Sequence, residues 1–569
     1  MELLPFGTLP PYQPRRFVPA TINWSDWAQI APLFDELERR AGAHDREAWL
    51  LDWSELNAAL DEEAALRYIA MTCHTDNAAA EQAYLEFVEK IEPQLKPRQF
   101  ALSKLYVAQP VNQPRYAVFN RDLAVGVELY RDENVPLETE EAKLSQQYQK
   151  LAGALTVQFR GEEKTLIQLS RYLEEPDRTL RQEVWELIAN RRLQERENFE
   201  TLFDQLLQLR LQIAGNAGCR DYIEYAFRSK RRFDYTVEDC RRFHAAVERE
   251  VVPLLRQLQA ERRRQLGLPA LRPWDLAVDP LNRPPLRPFT DVEKLSTGAQ
   301  EIFNRVDPEL GADYTVLRER RLLDLANRKG KAPGGYQSTL SEARLPFIFM
   351  NAVGVQRDVE TLLHEGGHAF HALATKDEDL YAYRSNVPME FAEVASMSME
   401  LLGGEHLEVF YPAAEAHRAR RSHLEDIVTI LAWIATVDAF QEWIYAHPGH
   451  SRPDRAKAWN DLVTRFGGDV DWTGYDAARA HAWHRQLHIF LHPFYYIEYG
   501  IAELGALQVW ANSRKDKRRA LQDYRRALAL GGSRPLPELF AAAGCRFDFS
   551  ADTIRPLMQM IATELDCAR

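Results

Sequence analysis

Two histidines four residues apart, His364 and His368, enclose Glu365, Gly366 and Gly367 and spell H-E-x-x-H. Imidazole nitrogens can hold a metal ion, and a carboxylate beside them can act as a base toward water. With 15 histidines in 569 residues, a chance match arises in roughly a few sequences per hundred, so the surroundings must decide. At about 100° per residue, Val359, Leu362, Leu363, Gly366, Phe370 and Leu373 fall on one helical stripe roughly 100° wide. His364 and His368 lie nearly opposite it, and Glu365 is offset from them by roughly 60 to 100°. Such a helix docks on a core while both imidazoles face the other way, as a shared metal requires. Gly366 and Gly367 each weaken a helix interior by roughly 1 kcal/mol relative to Ala. Two such costs in one turn predict a neighbour passing close to the backbone. A solvated surface helix would explain the histidines and leave the glycines unexplained.

A catalytic zinc takes three protein ligands and keeps a position for water. The H-E-x-x-H-x-x-G-x-x-H pattern of metzincins is excluded, because His371 stands where Gly is needed and Ala374 where the third His is needed. A downstream carboxylate is the other source. "NVPMEFAEVASMSMELL", from Asn386 to Leu402, offers Glu390, Glu393 and Glu400 on neighbouring parts of one helix surface.

These residues resemble the thimet oligopeptidase/oligoendopeptidase F family of zinc metallopeptidases. There, H-E-x-x-H is followed by 24 residues and a ligand Glu inside F-x-E-x-x-S. Here 24 residues separate His368 from Glu393, which sits in Phe391-Ala392-Glu393-Val394-Ala395-Ser396. "RKGKAPGGY", "PFIFMNAVG", "HIFLHPFYYIEYGIAELGALQVW" and "LGGSRPLPELF" are similar to the oligoendopeptidase F/Pz-peptidase branch in particular. The close resemblance runs from about Leu322 to Phe549; the N-terminal helices resemble the family loosely. It implies one zinc per chain on His364, His368 and Glu393, with Glu365 as general base. It also implies a mainly α fold, two helical lobes around a deep substrate channel, with a small β-sheet beside the zinc helix. His488 and Tyr499 match family positions that contact substrate and stabilise the oxyanion, and Tyr495 and Tyr496 compete for a further tyrosine role. The glycine-rich loop that some relatives carry between His and Tyr is absent here. His371 reads as packing or support behind the ligands. Glu400 reads either as the partner that fixes a ligand imidazole's tautomer or as an ordinary surface residue. Glu390 misses the family's ligand position and reads as structural.

The elements that must position these groups read mostly as helix. Apolar periodicity runs from about Trp24 to Leu105, through Leu180 to Ile213 and from about Tyr235 to Leu266, with a helix start at Pro176-Asp177. The clearest strand is Phe347-Ile348-Phe349-Met350-Asn351, just before the H-E-x-x-H helix. An extended peptide could pair with its edge, which makes Phe349, Met350, Asn351 and Ala352 candidate substrate-binding residues; a short core strand with both edges covered fits the sequence equally well. Leu268 to Phe289 is Pro-rich and aperiodic, and its Trp and Leu residues predict a loop laid against the body. "RKGKAPGGYQS", from Arg328 to Ser338, is expected to be mobile; it lacks phosphate-loop spacing. The chain is expected to divide into an N-terminal helical lobe, 1–195, serving as channel wall or lid, and a catalytic domain, 196–569.

Charge and composition narrow the class further. A net charge of −13 and no basic stretch with interleaved aromatics argue against nucleic acid as a partner. The N-terminal stretch lacks a signal-peptide pattern and no segment reaches 18 apolar residues, so no membrane partner is expected. Five scattered cysteines (Cys73, Cys219, Cys240, Cys545 and Cys567) without C-x-x-C read as reduced thiols of a cytoplasmic protein. The expected function is zinc-dependent endoproteolysis of short unstructured peptides. The alternatives are a zinc carboxypeptidase or dipeptidyl carboxypeptidase on a related helical scaffold, and an inactive peptide-binding relative. Oligomeric state is not legible.

Overall fold

The computed structural model describes residues 3–42 and 44–567, with side chains to residue 565; Cys567 lies outside the described side chains. In chain order, the helices that position the chemistry are α1 (Arg46–Cys73), α2 (Arg178–Gln194), α3 (Arg196–Asn216), α4 (Val292–Val306), α5 (Gln356–Ala374), α6 (Met389–Gly404), α7 (Ala413–Ala446) and α8 (Tyr496–Lys515). The strands are β1 (Thr156–Phe159), β2 (Glu162–Thr165), β3 (Leu323–Ala326), β4 (Tyr336–Leu340) and β5 (Leu345–Ala352). The mainly α expectation holds.

The chain forms two compact units. Unit 1 comprises residues 1–127, 286–420 and 502–547; unit 2 comprises 128–285, 421–501 and 548–569. The junction expected between residues 195 and 196 instead falls inside unit 2, where it joins α2 to α3. Periodicity tells that a helix has a buried face but not which helix covers it, so a reading in consecutive blocks has no means of seeing a chain that leaves a unit and returns.

In unit 1 the sheet order is β3-β5-β4, with β5 parallel to β3 and antiparallel to β4. β5 is therefore the central strand, and its buried run of Leu345 to Met350 reads as continuously apolar for that reason. This corrects the expectation for Phe349, Met350, Asn351 and Ala352. Phe349, Met350 and Ala352 are buried, and Asn351 donates from Nδ2 to Ala332 O and Gly334 O. The edges of the sheet belong to β3 and β4. Pro346 has no N–H, so Thr339↔Pro346 is a non-hydrogen-bonded pair, and by alternation so is Gln337↔Ile348. The backbone polar groups of Gln337 and Thr339 therefore point away from β5.

The segment before β4 is anchored, contrary to expectation. Lys331 Nζ, on a fully buried side chain, donates to Asp324 O, Asp324 Oδ1, Ala326 O and Met350 O. Thr75 N–H donates to Gly330 O and Ala332 N–H to Thr72 O, tying the loop to the end of α1. An ammonium whose donors are all used has no reason to leave. In unit 2, the Pro-rich segment does pack against the body. Trp274 is buried, and fully buried Asp275 accepts from Arg178 and Arg181 of α2. α2 starts where Pro176-Asp177 predicts, with Asp177 accepting from Thr179 N–H and Leu180 N–H. α7 is long and apolar enough to cross a membrane by length and composition, which the sequence reading missed, but 72% of its apolar window is buried inside the protein.

Candidate metal centre

α5 begins at a tight turn out of β5. Asp358 Oδ2 accepts from the N–H groups of Val353, Gly354 and Val355. Gly354 has φ +89, and a Cβ there would lie 3.1 Å from Phe289 O, so both conformation and space call for glycine. The apolar stripe is buried as expected, at Val359, Leu362, Leu363, Gly366, Phe370 and Leu373, while His364 and His368 are half-buried on the other side. The neighbours that the paired glycines imply are present. A Cβ on Gly366 would come within 2.6 Å of the Phe303 ring of α4. A Cβ on Gly367 would come within 2.5 Å of Ala395 O and 2.6 Å of Ser396 Cα, both backbone atoms of α6. α5 and α6 thus touch backbone to backbone at the turn that carries the histidines.

That approach brings the third residue into place. Glu393 Oε2 lies 3.4 Å from His364 Nε2 and 3.7 Å from His368 Nε2. One ligand atom from each of His364, His368 and Glu393 lies within 4.8 Å of the others, a set able to hold a metal ion. Glu390, although buried on α6, is not in the set. The far side of the set is held as well. His364 Nδ1 lies 2.7 Å from Glu400 Oε1, which leaves Nε2 for a metal. Ser396 Oγ donates to Glu393 Oε2 at 2.8 Å, a support that sequence reasoning missed although Ser396 belongs to the quoted phrase.

Burial lowers the pKa of His364, but the hydrogen bond to Glu400 and the charges of Glu400, Glu393 and Glu365 outweigh it and raise it to about 9. Burial and the charges of His364 and His371 push His368 well down. Burial raises Glu393, against His364 and the Ser396 bond. A cation among these groups would replace the proton that the carboxylates now attract. Glu365 is buried and outside the ligand set. Burial lifts its pKa to about 7, with Glu393 and Glu400 acting in the same direction and His364 and the Gln337 N–H against them. His371 is buried with Nε2 unpartnered among the described residues and its ring edge-on to Phe391. It packs behind the ligands.

The second group of expected residues lies in unit 2. His492 through Tyr499 do not form one helical face. A short helix, Leu487–Leu491, ends at His492, and α8 starts at Tyr496. Pro493 disfavours helical geometry at His492, and Phe494 adopts φ +61. Two buried arginines hold this bend. Arg232 Nη2 donates to Phe494 O and to Glu498 Oε1, and Arg210 donates to Ile489 O and Phe490 O. The bend still gathers the expected rings, with Tyr495, Tyr496 and Tyr499 centroids 5.7, 4.9 and 6.1 Å from that of His488. Nothing in the local sequence marks Arg210 or Arg232, more than 250 residues away from the carbonyls they hold.

The fold is that of a known class. A crystal structure assigned as an oligoendopeptidase F matches 96% of this chain and 98% of its own, with a TM-score of 0.85 and 28% identity. Pz peptidase A with an inhibitor matches 97% and 99%, with a TM-score of 0.86 and 27% identity. The profile described as peptidase family M3 matches residues 171–558, and the chain belongs to that family. Among curated relatives, oligopeptidase PepF of Bacillus subtilis is 31% identical over 160 residues, 27% of this chain and 23% of its own length. An oligoendopeptidase F homolog of Borreliella burgdorferi is 25% identical over 244 residues, 40% of each chain. The matched stretch spans about a quarter of PepF.

Proposed function

We propose that this protein is a zinc-dependent oligoendopeptidase that hydrolyses internal bonds of short, unstructured peptides. The observation that carries the reading is the His364, His368, Glu393 set with Glu365 buried beside it on the same helix. Two imidazole nitrogens and one carboxylate are a donor set of catalytic zinc sites, and the Glu400 and Ser396 hydrogen bonds orient it. Zinc held there would supply Lewis acidity and lower the pKa of its water toward about 7. Glu365 takes the proton as the water attacks the scissile carbonyl, and then delivers it to the leaving amine. The outward backbone groups of Gln337 and Thr339 offer an extended peptide main-chain hydrogen bonds without a side-chain requirement. His488, Tyr496, Tyr499 and Tyr495 are assigned, by resemblance, to donating hydrogen bonds to the substrate and its oxyanion. The names of the relatives, oligopeptidase and oligoendopeptidase, support short peptides as substrates. The free, buried thiols of Cys73, Cys219, Cys240 and Cys545 support a reducing compartment, the cytoplasm.

The test is mass spectrometry of a mixed pool of unstructured peptides incubated with the protein, with chelator, with chelator followed by zinc, and with Glu365→Gln. Internal cleavage should vanish with chelator and return with zinc. Glu365→Gln should lower turnover by about 10²–10⁴-fold with zinc content unchanged. Trimming from the C-terminus alone would transfer the assignment to a carboxypeptidase. No cleavage by the folded, zinc-loaded protein would leave a peptide binder.

A further inference from the structure

His488 is gripped at one nitrogen. Gln486 Nε2 lies 2.8 Å from His488 Nδ1, and Trp433 Nε1 on α7 donates to Gln486 Oε1 at 2.9 Å. A glutamine side chain by itself leaves open which end is oxygen and which is nitrogen. Trp433 removes that freedom. An indole N–H donates and never accepts, so it can meet only the amide oxygen. The amide NH2 then faces the imidazole, Nδ1 must accept, and the ring proton sits on Nε2. No described residue bonds Nε2, which leaves it free to donate.

The surroundings keep that ring uncharged. Burial, followed by the charges of His492 and Lys230, pushes its pKa down to about 4. The other faces are lined by the phenols of Tyr495, Tyr496 and Tyr499. Burial raises the pKa of the neighbouring Tyr496 phenol.

We propose that Trp433 and Gln486 are positioning residues that fix His488 as the neutral, Nε2-protonated tautomer, so that it meets substrate as a hydrogen-bond donor and never as a base. This rests on the reading that His488 faces substrate. His488 then offers a hydrogen bond to developing negative charge without exchanging a proton.

The experiment is nitrogen-15 NMR of the zinc-loaded full chain with labelled histidine, paired with kinetics. Two-bond proton–nitrogen correlations distinguish the two tautomers, and His488→Phe assigns the resonance. The unaltered protein should show the proton on Nε2. In Gln486→Glu a carboxylate accepts from both Trp433 and the imidazole, so the proton should move to Nδ1 or the ring should charge. Its kcat should fall about 10- to 100-fold with KM nearly unchanged, and the same change should cost nothing further in a His488→Ala background. Trp433→Phe, which frees the amide to turn, should give mixed tautomers and a smaller loss. A proton on Nδ1 in the unaltered protein, or a tautomer unmoved by both Gln486→Glu and Trp433→Phe, overturns the proposal. Full turnover in His488→Ala would instead overturn the reading beneath it, while the spectra would still report the tautomer.

Discussion

His371 has a buried polar atom, Nε2, without a partner among the described residues. Burial lowers its pKa from 6.5 to about 4. The unfolded chain therefore binds a proton near pH 6.5 that the native protein refuses until about 4. Between those values the unfolded state holds more protons, so stability falls as pH falls, by up to about 3 kcal/mol at the acid end. His371→Leu removes one such titration and should make the urea-denaturation stability profile less steep between pH 6.5 and 4. An unchanged slope would mean that this imidazole does not contribute to acid lability. The H-E-x-x-H histidines and Glu393 were legible from spacing and resemblance, because one helical turn and a fixed linker are local quantities. Glu400 was left open between tautomer partner and surface residue, because helical phase does not say which neighbour a carboxylate meets. Its contact with His364 Nδ1 settles which nitrogen stays free for a metal.

Between elements, the close contact of α5 with α6 decides whether a metal set exists. A methyl group on Gly367 would strike Ala395 O and Ser396 Cα, which are backbone and cannot turn aside. Gly367→Ala should cost about 3 kcal/mol, the upper part of the overpacking range, and should weaken zinc binding by displacing Glu393 from the histidines. Gly366→Ala meets the rim of the Phe303 ring, which can shift, and gains helix propensity, so its cost should be clearly smaller. Equal costs in denaturation and zinc titration would refute the backbone contact. β4 makes a second prediction. Proline at Thr339 removes an N–H that faces away from β5, so Thr339→Pro should leave the folded protein near its original melting temperature. If peptides pair along this edge, KM should rise several-fold with kcat less affected; unaltered peptide kinetics would show that substrate does not use the strand. Short apolar strands cannot reveal their order, and for that reason the sequence left open whether β5 is an edge, when the edges are β3 and β4.

For the whole molecule, the distribution of the ligands over the two units gives a prediction of its own. His364, His368 and Glu393 all belong to unit 1. Zinc binding stabilises whatever carries its ligands, by about 2.7 kcal/mol at one hundred times Kd. Hydrogen exchange with and without zinc should therefore slow most in α5, α6 and the β3-β5-β4 sheet, and much less in α2 and α3. Equal slowing in both units, or none in α5, would be incompatible with these ligands.

By itself the sequence determined the helical class, the apolar face of α5, the identity and spacing of the metal-binding candidates and the kinship with oligoendopeptidases. These depend on periodicity and on short linkers, in which neighbours in space are neighbours in the chain. Tertiary structure alone decided that β5 is central, that the loop around Lys331 is anchored, that the chain weaves between two units, and that Trp433, Gln486, Arg210 and Arg232 support the His488 bend. Each of these depends on contacts between residues far apart in sequence or on the pairing of strands. Helical phase and apolar pattern show that a surface is covered, and only packing shows by what.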